Sequence, residues 1–558
     1  MTVTSLGMPK VHHGTGNIVA KESFTQFASR ELKNEQLREN LGFATHTIRD
    51  KRLKVVSELP DWELLRTAGS EIKQDVMARL PELLEEFEKN FTERGGHVHW
   101  ARDANEANQI ALDIIREQGV EEVIKIKSMA TQETGLNEFL EEQGVSAIET
   151  DLAEEIVQMG DDKPSHILVP AIHRNRSEIR DIFLKKMPGI DPNITDQPSE
   201  LAEASRHHLR EKFFRNTVAI SGANFGVADS GTLTIVESEG NGRMCLTLPD
   251  TLISFMGIEK LVPTFQDLEV FLQLLPRSST GERMNPYTSM WSGVTPGDGP
   301  QNLHVILMDN GRTAALADEV GRQALHCIRC SACMNVCPVY ERAGGHAYGS
   351  VYPGPIGAIL SPLMTGVEEQ SNNSLPYASS LCGACYEACP VKINIPDVLV
   401  HLRGKDIDAK HGKGDDGEKR HLPDQMDAMM AGAKEMFSRP FLLSTAVRGL
   451  PVGRIAAGRS HKISWLPGLV GGWTKYRDIP EPPSQAFRHW WKKNRKNASQ
   501  KRTGQAPVDV QALLAKNEGL AQKLHEEQAL KAKAAKDRAA EQGRSEESGD
   551  TTTQEGRD

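Results

Sequence analysis

Seven of the eight cysteines fall in two tight groups about 45 residues apart. The first is Cys327-x2-Cys330-x2-Cys333-x3-Cys337-Pro338, and the second is Cys382-x2-Cys385-x3-Cys389-Pro390. Thiolates are soft ligands, and groups spaced like this select an iron–sulfur cluster or zinc. The repetition of the group and its Cys-Pro ending favour iron–sulfur. A disulfide framework fits poorly, because such scaffolds are small secreted chains and this one has 558 residues. The chemistry these residues suit is electron transfer.

The first group reproduces the run in which three thiolates hold one cubane and the fourth reaches across to a second. Under that crossover rule, Cys327, Cys330, Cys333 and Cys389 form one complete ligand set. The other set, Cys337, Cys382 and Cys385, lacks a fourth thiolate, because Ser379 stands where the first group has Cys327. The second site therefore holds a 3Fe–4S cluster, or a 4Fe–4S cluster whose open iron takes Ser379, water, substrate or a partner residue. Cys245 is the spare thiol. It lies in a stretch that reads as a strand, where a lone cysteine is usually a small buried hydrophobe. His326 and His346 flank the two groups and read as surface or supporting side chains rather than ligands.

These ligands need a sizeable scaffold. At roughly 100–200 residues per domain, the length implies about three or four domains. The composition, 38% hydrophobic and 25% charged, is that of a globular protein, and the net charge of -10 argues against a dedicated nucleic-acid binder. No apolar run is long enough to span a bilayer. The N-terminus has no basic segment leading into an apolar one, so no export signal is expected, and with reduced cysteines this points to the cytoplasm.

Residues 22–93 read as helices; Leu80, Leu83, Leu84 and Phe87 line one face at helical spacing. Beyond residue 95, strands alternate with helices. Strands are expected at 97–101, 120–127, 145–150, 217–220, 232–236 and 303–308. Helices are expected after an Asp103 N-cap, over 133–143 and around 177–184. That alternation predicts βαβ units and a mainly parallel sheet. The small-residue loop 221–231 reads either as a backbone cradle for an anion or, more plainly, as a turn with Gly231 at a bulge. Lys127, Glu133, His173, Arg243 and Glu259 lie near predicted strand ends, with nothing in the sequence to gather them around one cavity. Between the cysteine groups, 346–349 and 352–357 read as turns, and short helices are expected to pack around the clusters.

From 439 to 503 the chain carries 14 Lys plus Arg against two acidic residues, Asp478 and Glu481, interleaved with Trp465, Trp473, Trp490 and Trp491. One reading is a docking surface for an acidic partner or a membrane face. The other is a segment laid over the protein with its tryptophans inward. Past 503 the composition is charged and low in aromatics; 508–534 reads as an exposed helix and the end as disordered.

The chain also resembles the lactate utilisation protein B family over about residues 15–495. The resemblance rests on 126–138 (IKSMATQETGLNE), 220–225 (ISGANF), 256–260 (MGIEK), 327–330 (CIRC), 345–349 (GHAYG), 352–357 (YPGPIG) and 380–390 (SLCGACYEACP). In that family the three-cysteine second group is usual, and Ser331 is a mild departure from a common Gly. The resemblance implies an α/β domain of the LUD type, like the sugar-phosphate isomerase and CoA-transferase superfamily, over 60–312 after a helical segment 1–59. It implies a mainly helical ferredoxin-type two-cluster domain over 313–405, a small basic C-terminal domain over 406–502, and nothing for the tail 503–558. It implies two iron–sulfur clusters, most simply both 4Fe–4S, on Cys327, Cys330, Cys333 and Cys389, and on Cys337, Cys382 and Cys385, with a fourth position near Ser379. The implied function is an electron-transfer subunit of a cytoplasmic complex oxidising L-lactate to pyruvate. Its implied partners are a cysteine-rich subunit and a small LUD-domain subunit. No flavin or nicotinamide motif is present, and an open iron at the second cluster is one place where a hydroxy acid could bind. The alternative is a ligand-transfer enzyme of the CoA-transferase type whose clusters serve structure or redox sensing.

Overall fold

A computed structural model describes residues 12–411, 425–468, 471–474 and 477–502. It separates into two compact units, Met1–His421 and Leu422–Asp558. In the first unit, helices Phe24–Glu31, Glu35–Val56, Trp62–Ala78 and Leu80–Glu93 come first. The last buries Leu80, Leu83, Leu84, Phe87 and Phe91, the apolar stripe read from the sequence.

The strands of this unit, in chain order, are β1 (Gly96–Ala101), β2 (Glu122–Lys125), β3 (Ser146–Glu149), β4 (Val218–Gly222), β5 (Phe225–Val227), β6 (Thr232–Glu237), β7 (Thr251–Gly257), β8 (Leu261–Val262), β9 (Tyr287–Trp291) and β10 (Asn302–Met308). Six of them form a sheet ordered β1-β10-β7-β4-β2-β3, parallel throughout. Helices such as Ala104–Glu117 make the crossovers; Asp103 caps that helix by accepting from the Glu106 N–H at 3.0 Å. β7 is buried at all seven positions, as a central parallel strand must be. Its one polar mid-strand side chain, Ser254, pairs with Ser221 at 2.8 Å.

A smaller sheet, β8-β5-β6-β9, packs beside the first. Here β5 and β6 form an antiparallel hairpin. The loop expected over 221–231 is therefore partly strand, and Gly231 (φ +59°) closes the hairpin where a Cβ would collide with the Phe91 backbone. The helix expected over 133–143 is two helices, Met129–Thr134 and Leu136–Glu142, broken at Gly135 (φ +65°). The strand expected around Cys245 is helix Asn241–Thr247.

The cysteine-rich region is mainly helical. Short helices Ala332–Asn335, Pro338–Ala343 and Ala384–Ala388 carry cysteines at or next to their ends, and Gly354–Thr365 and Ile395–Lys410 pack behind them. The stretch 352–357, expected as a turn, instead enters Gly354–Thr365, which is buried almost throughout because nearly all its side chains are apolar.

The second unit holds helices Gln425–Ser438, Pro440–Gly449 and Phe487–Arg502 and a two-residue strand pair, Lys462–Ile463 with Ile479–Pro480. Trp465, Trp473, Trp490 and Trp491 are exposed rather than turned inward. The expected helix at 508–534 and disordered end lie outside the described residues. No helix among the described residues is long and apolar enough to cross a membrane.

Candidate metal centre and adjoining cleft

Cys327, Cys330, Cys333 and Cys389 line one small cavity, walled otherwise by apolar side chains such as Ile328, Ile356, Val391 and Ile393. All four cysteines are buried. Burial pushes the Cys330 and Cys333 thiols well up, and their sulfurs feel the other members of the set. Burial raises Cys389 to about 11, against backbone N–H donors from Ile393 and Val391. A cavity bounded by four thiols and little else polar suits a group that replaces the thiol protons with soft metal. Further N–H···S bonds run from Arg329 to Cys327 (3.3 Å) and from Ile393 to Cys389 (3.4 Å), contacts that tune a cluster's potential.

The remaining cysteines gather separately. Cys337 lies near Cys382, and its sulfur has the Tyr340 N–H at 3.5 Å and the Tyr348 hydroxyl beside it. Cys385 neighbours Cys337 and Cys382, and burial pushes it up to about 12. Cys382 is exposed. The Ser379 hydroxyl accepts from the Leu381 N–H at 3.1 Å, a local turn leading into the second group.

Other candidates lie elsewhere. Cys245 is fully buried, contacts the Thr150 hydroxyl at 3.4 Å, and is raised to about 12 by burial, as expected of a buried hydrophobe. Burial and Lys73 lower His326 to about 4. His346 meets the Lys163 carbonyl at 2.7 Å, and its ring stands edge-on to His173. Asp162, His173 and His346 bring ligand atoms within 4.8 Å of one another. Asp162, however, is held by Arg174, and His173 bridges it to Ser165 (2.8 Å each way), so the trio reads as a polar clasp between the α/β and cysteine-rich parts.

Two helices hold the cysteine loops from outside. Arg52 donates to the Ala388 carbonyl (2.9 Å), and Arg66 to the Cys389 carbonyl (2.8 and 3.0 Å). Both side chains are buried, so their charge is felt strongly by an anionic cluster.

A cleft of about 240 Å³ opens beside the first cavity, at the carboxyl ends of β2, β4, β7 and β10. Lys127, Ser128, Asn224, Glu259, Lys260 and Arg329 are among its lining. Ile167, Ile328 and Arg329 line both it and the four-cysteine cavity. Beneath it runs a buried ion network. Arg312 pairs with Glu133 (2.9 and 3.0 Å) and Glu259 (2.5 Å), Arg329 reaches Glu259 at 3.3 Å, and the Tyr352 hydroxyl donates to Glu133 at 2.5 Å. Burial opposes the Glu259 charge, but Arg312, Lys260 and Arg329 outweigh it and hold the carboxyl at about 2. Gly257 is required here, because a Cβ would run into Glu259 and Arg312.

Of the polar groups flagged near strand ends, Lys127 and Glu259 share this cleft and Glu133 joins them through Arg312. His173 and Arg243 do not: Arg243 stacks over Tyr287. Sequence reasoning missed Arg312 and Arg329. The position of Arg329 between Cys327 and Cys330 was a usable signal; nothing local marks Arg312.

Fold and site together define an α/β protein carrying an iron–sulfur dicluster region. The LUD domain family model matches residues 84–308, and the 4Fe-4S dicluster domain matches residues 323–393. The cysteine-rich region thus holds iron–sulfur clusters. Lactate utilization protein B from Oceanobacillus iheyensis is 41% identical over 490 residues, covering 86% of this chain and 98% of the relative. That of Bacillus subtilis is 40% identical over 477 residues, covering 85% and 96%. The chain belongs to the lactate utilization protein B family. A crystal structure of a DUF162 family protein from Deinococcus radiodurans overlaps 41% of this chain and 98% of its own at 15% identity, but its TM-score of 0.22 bears no weight.

Proposed function

We propose that this chain is the iron–sulfur electron-transfer subunit of a cytoplasmic complex that oxidises L-lactate to pyruvate. Cys327, Cys330, Cys333 and Cys389 would hold one 4Fe–4S cluster, and Cys337, Cys382 and Cys385 the other, with its fourth position near Ser379. The observation that carries this reading is that Cys327, Cys330, Cys333 and Cys389 line one cavity while Cys385 neighbours Cys337 and Cys382, with Cys333 and Cys385 in reach of each other between the two groups. Two such clusters supply two one-electron acceptors, matching the two electrons a 2-hydroxy acid gives up on becoming a 2-oxo acid. The chain's own residues do the rest: apolar walls exclude water, N–H donors reach the sulfurs, and Arg52 and Arg66 stabilise added negative charge.

The domain layout we infer is a helical segment 1–59, a LUD-type domain 60–312, a ferredoxin-type domain 313–405, a basic C-terminal domain 406–502 and a tail 503–558. A cysteine-rich subunit and a small LUD-domain subunit are the proposed partners. The exposed tryptophans and basic residues of 439–503 support a docking role for that segment, toward an acidic partner or a membrane face. The transfer-enzyme alternative is not favoured, since relatives aligned over nearly their whole length carry the lactate-utilization name and this chain carries the dicluster region.

The test is electron paramagnetic resonance of the anaerobically reconstituted complex. L-lactate should generate a reduced-cluster signal on this chain. A complex that turns lactate over while both clusters stay silent would overturn the relay.

A further inference from the structure

The cleft beside the four-cysteine cavity has features that the relay does not use. It lies outside the carboxyl ends of parallel strands, where open α/β sheets bind their ligands. At about 240 Å³ it is below the roughly 300–1,000 Å³ usual for drug-sized ligands, so it suits a small molecule rather than a nucleotide or coenzyme. Four acidic residues line it, each with a partner of its own. Glu259 is held by Arg312 and Arg329, Glu237 accepts from the Gly240, Gly242 and Arg243 N–H groups, Asp151 caps helix Leu152–Met159, and Glu239, which stands beside Lys127, accepts from the Leu152 N–H at 3.5 Å.

Its cations keep hydrogen-bonding capacity. Lys127 donates to the Ile167 carbonyl, which leaves its ammonium two further N–H donors; Lys260, lowered by burial and by Arg329 to about 7, donates to the Cys327 carbonyl (3.1 Å) and keeps at least one further N–H. The Arg329 side chain is 10% exposed and lies over the Tyr352 ring at 4.6 Å; its Nη2 meets Glu259, while Nη1 has no hydrogen-bond partner among the described residues. A buried guanidinium left incomplete is costly unless an anion or water completes it. Arg329 adopts φ +60° and Ser331 φ +61°, the turns by which the loop brings Cys327, Cys330 and Cys333 to one side. Ser128 and Asn224 add short polar groups, and Ile126, Ile235 and Phe255 add an apolar wall.

We propose that this cleft binds a small monocarboxylate bearing oxygen at C2, a 2-hydroxy or 2-oxo acid. Its carboxylate sits on Arg329 with Lys127 and Lys260, and its methyl group lies on the apolar wall. This rests on the lactate-oxidation reading and places its substrate against the four-cysteine cavity, with Arg329 shared between the two, rather than at the open position of the second cluster.

The test is isothermal titration of the anaerobically prepared full chain with sodium L-lactate and sodium pyruvate, with acetate and inorganic phosphate as comparators. The proposal expects saturable binding of the first two, with both comparators weaker. Lys127→Gln and Arg329→Gln should each weaken binding by about tenfold or more, the size of one charge-assisted hydrogen bond, with the visible cluster absorbance unchanged. If Arg329→Gln loses iron, Lys127→Gln decides. Absence of saturable binding, phosphate binding as well as lactate, or undiminished binding in the variants that keep their clusters would each overturn it. Binding as expected without lactate-dependent cluster reduction in the assembled complex would sink the relay and leave the site standing. Reduction with an unchanged lactate KM in both variants would sink the site and leave the relay.

Discussion

Arg312 is the side chain on which the cleft floor is built. It is 2% exposed and pairs with two buried carboxylates, Glu133 and Glu259, the second shared with Arg329 at 3.3 Å. Removing one partner of a buried pair strands the other's charge. Arg312→Met, which takes from Glu133 its ion pair, should therefore cost about 3–5 kcal/mol, read as a lower denaturation midpoint. An unchanged midpoint would show the network to be dispensable. The cysteines offer a sharper contrast. Cys330→Ala should lose about half of the bound iron while Cys245→Ala keeps all of it, measured by metal analysis on folded protein. The cysteine pattern made this contrast legible from spacing alone. Arg312 was not legible, because its importance comes from residues 179 and 53 positions away.

At the scale of elements, strand β10 and its edge neighbour β1 bring His304 against His99 (3.0 Å) and His97 (ring centroids 4.9 Å). Burial, then the facing His99 and His97, lowers His304 from 6.5 to about 4. The folded state thus binds fewer protons than the unfolded chain between those values. Stability should fall as pH drops through about 6.5 toward 4 and level off below. His304→Gln should flatten that slope in melting curves between pH 7 and 5; an identical slope would remove His304 from the account. Helices 35–56 and 62–78 make a second prediction. Arg66→Gln withdraws a buried positive charge from the Cys389 loop, so the cluster potential should become more negative in a redox titration. No shift would mean that the charge is screened. Alternation made most strands of the sheet visible in the sequence, and Asp103 marked its helix start. β7 escaped because a strand buried on both faces shows no period of two. Of the small sheet, β6 was expected at 232–236, whereas β5 and β8 escaped because they are only three and two residues long.

At the scale of the whole molecule, the sequence separated an α/β part from a cysteine-rich part, and the structure joins them more intimately than a two-domain reading suggests. Arg329 and Tyr352 from the cysteine-rich part complete an ion network rooted in the sheet, and Tyr340 donates to the Ser165 carbonyl at 2.8 Å. Such contacts span 70 to 219 positions, beyond any local pattern. The most direct test of the account is the iron and acid-labile sulfide content of the anaerobically purified chain. Two 4Fe–4S clusters predict about eight of each per chain, in brown protein. Colourless protein, zinc in place of iron, or about four irons or fewer would contradict it.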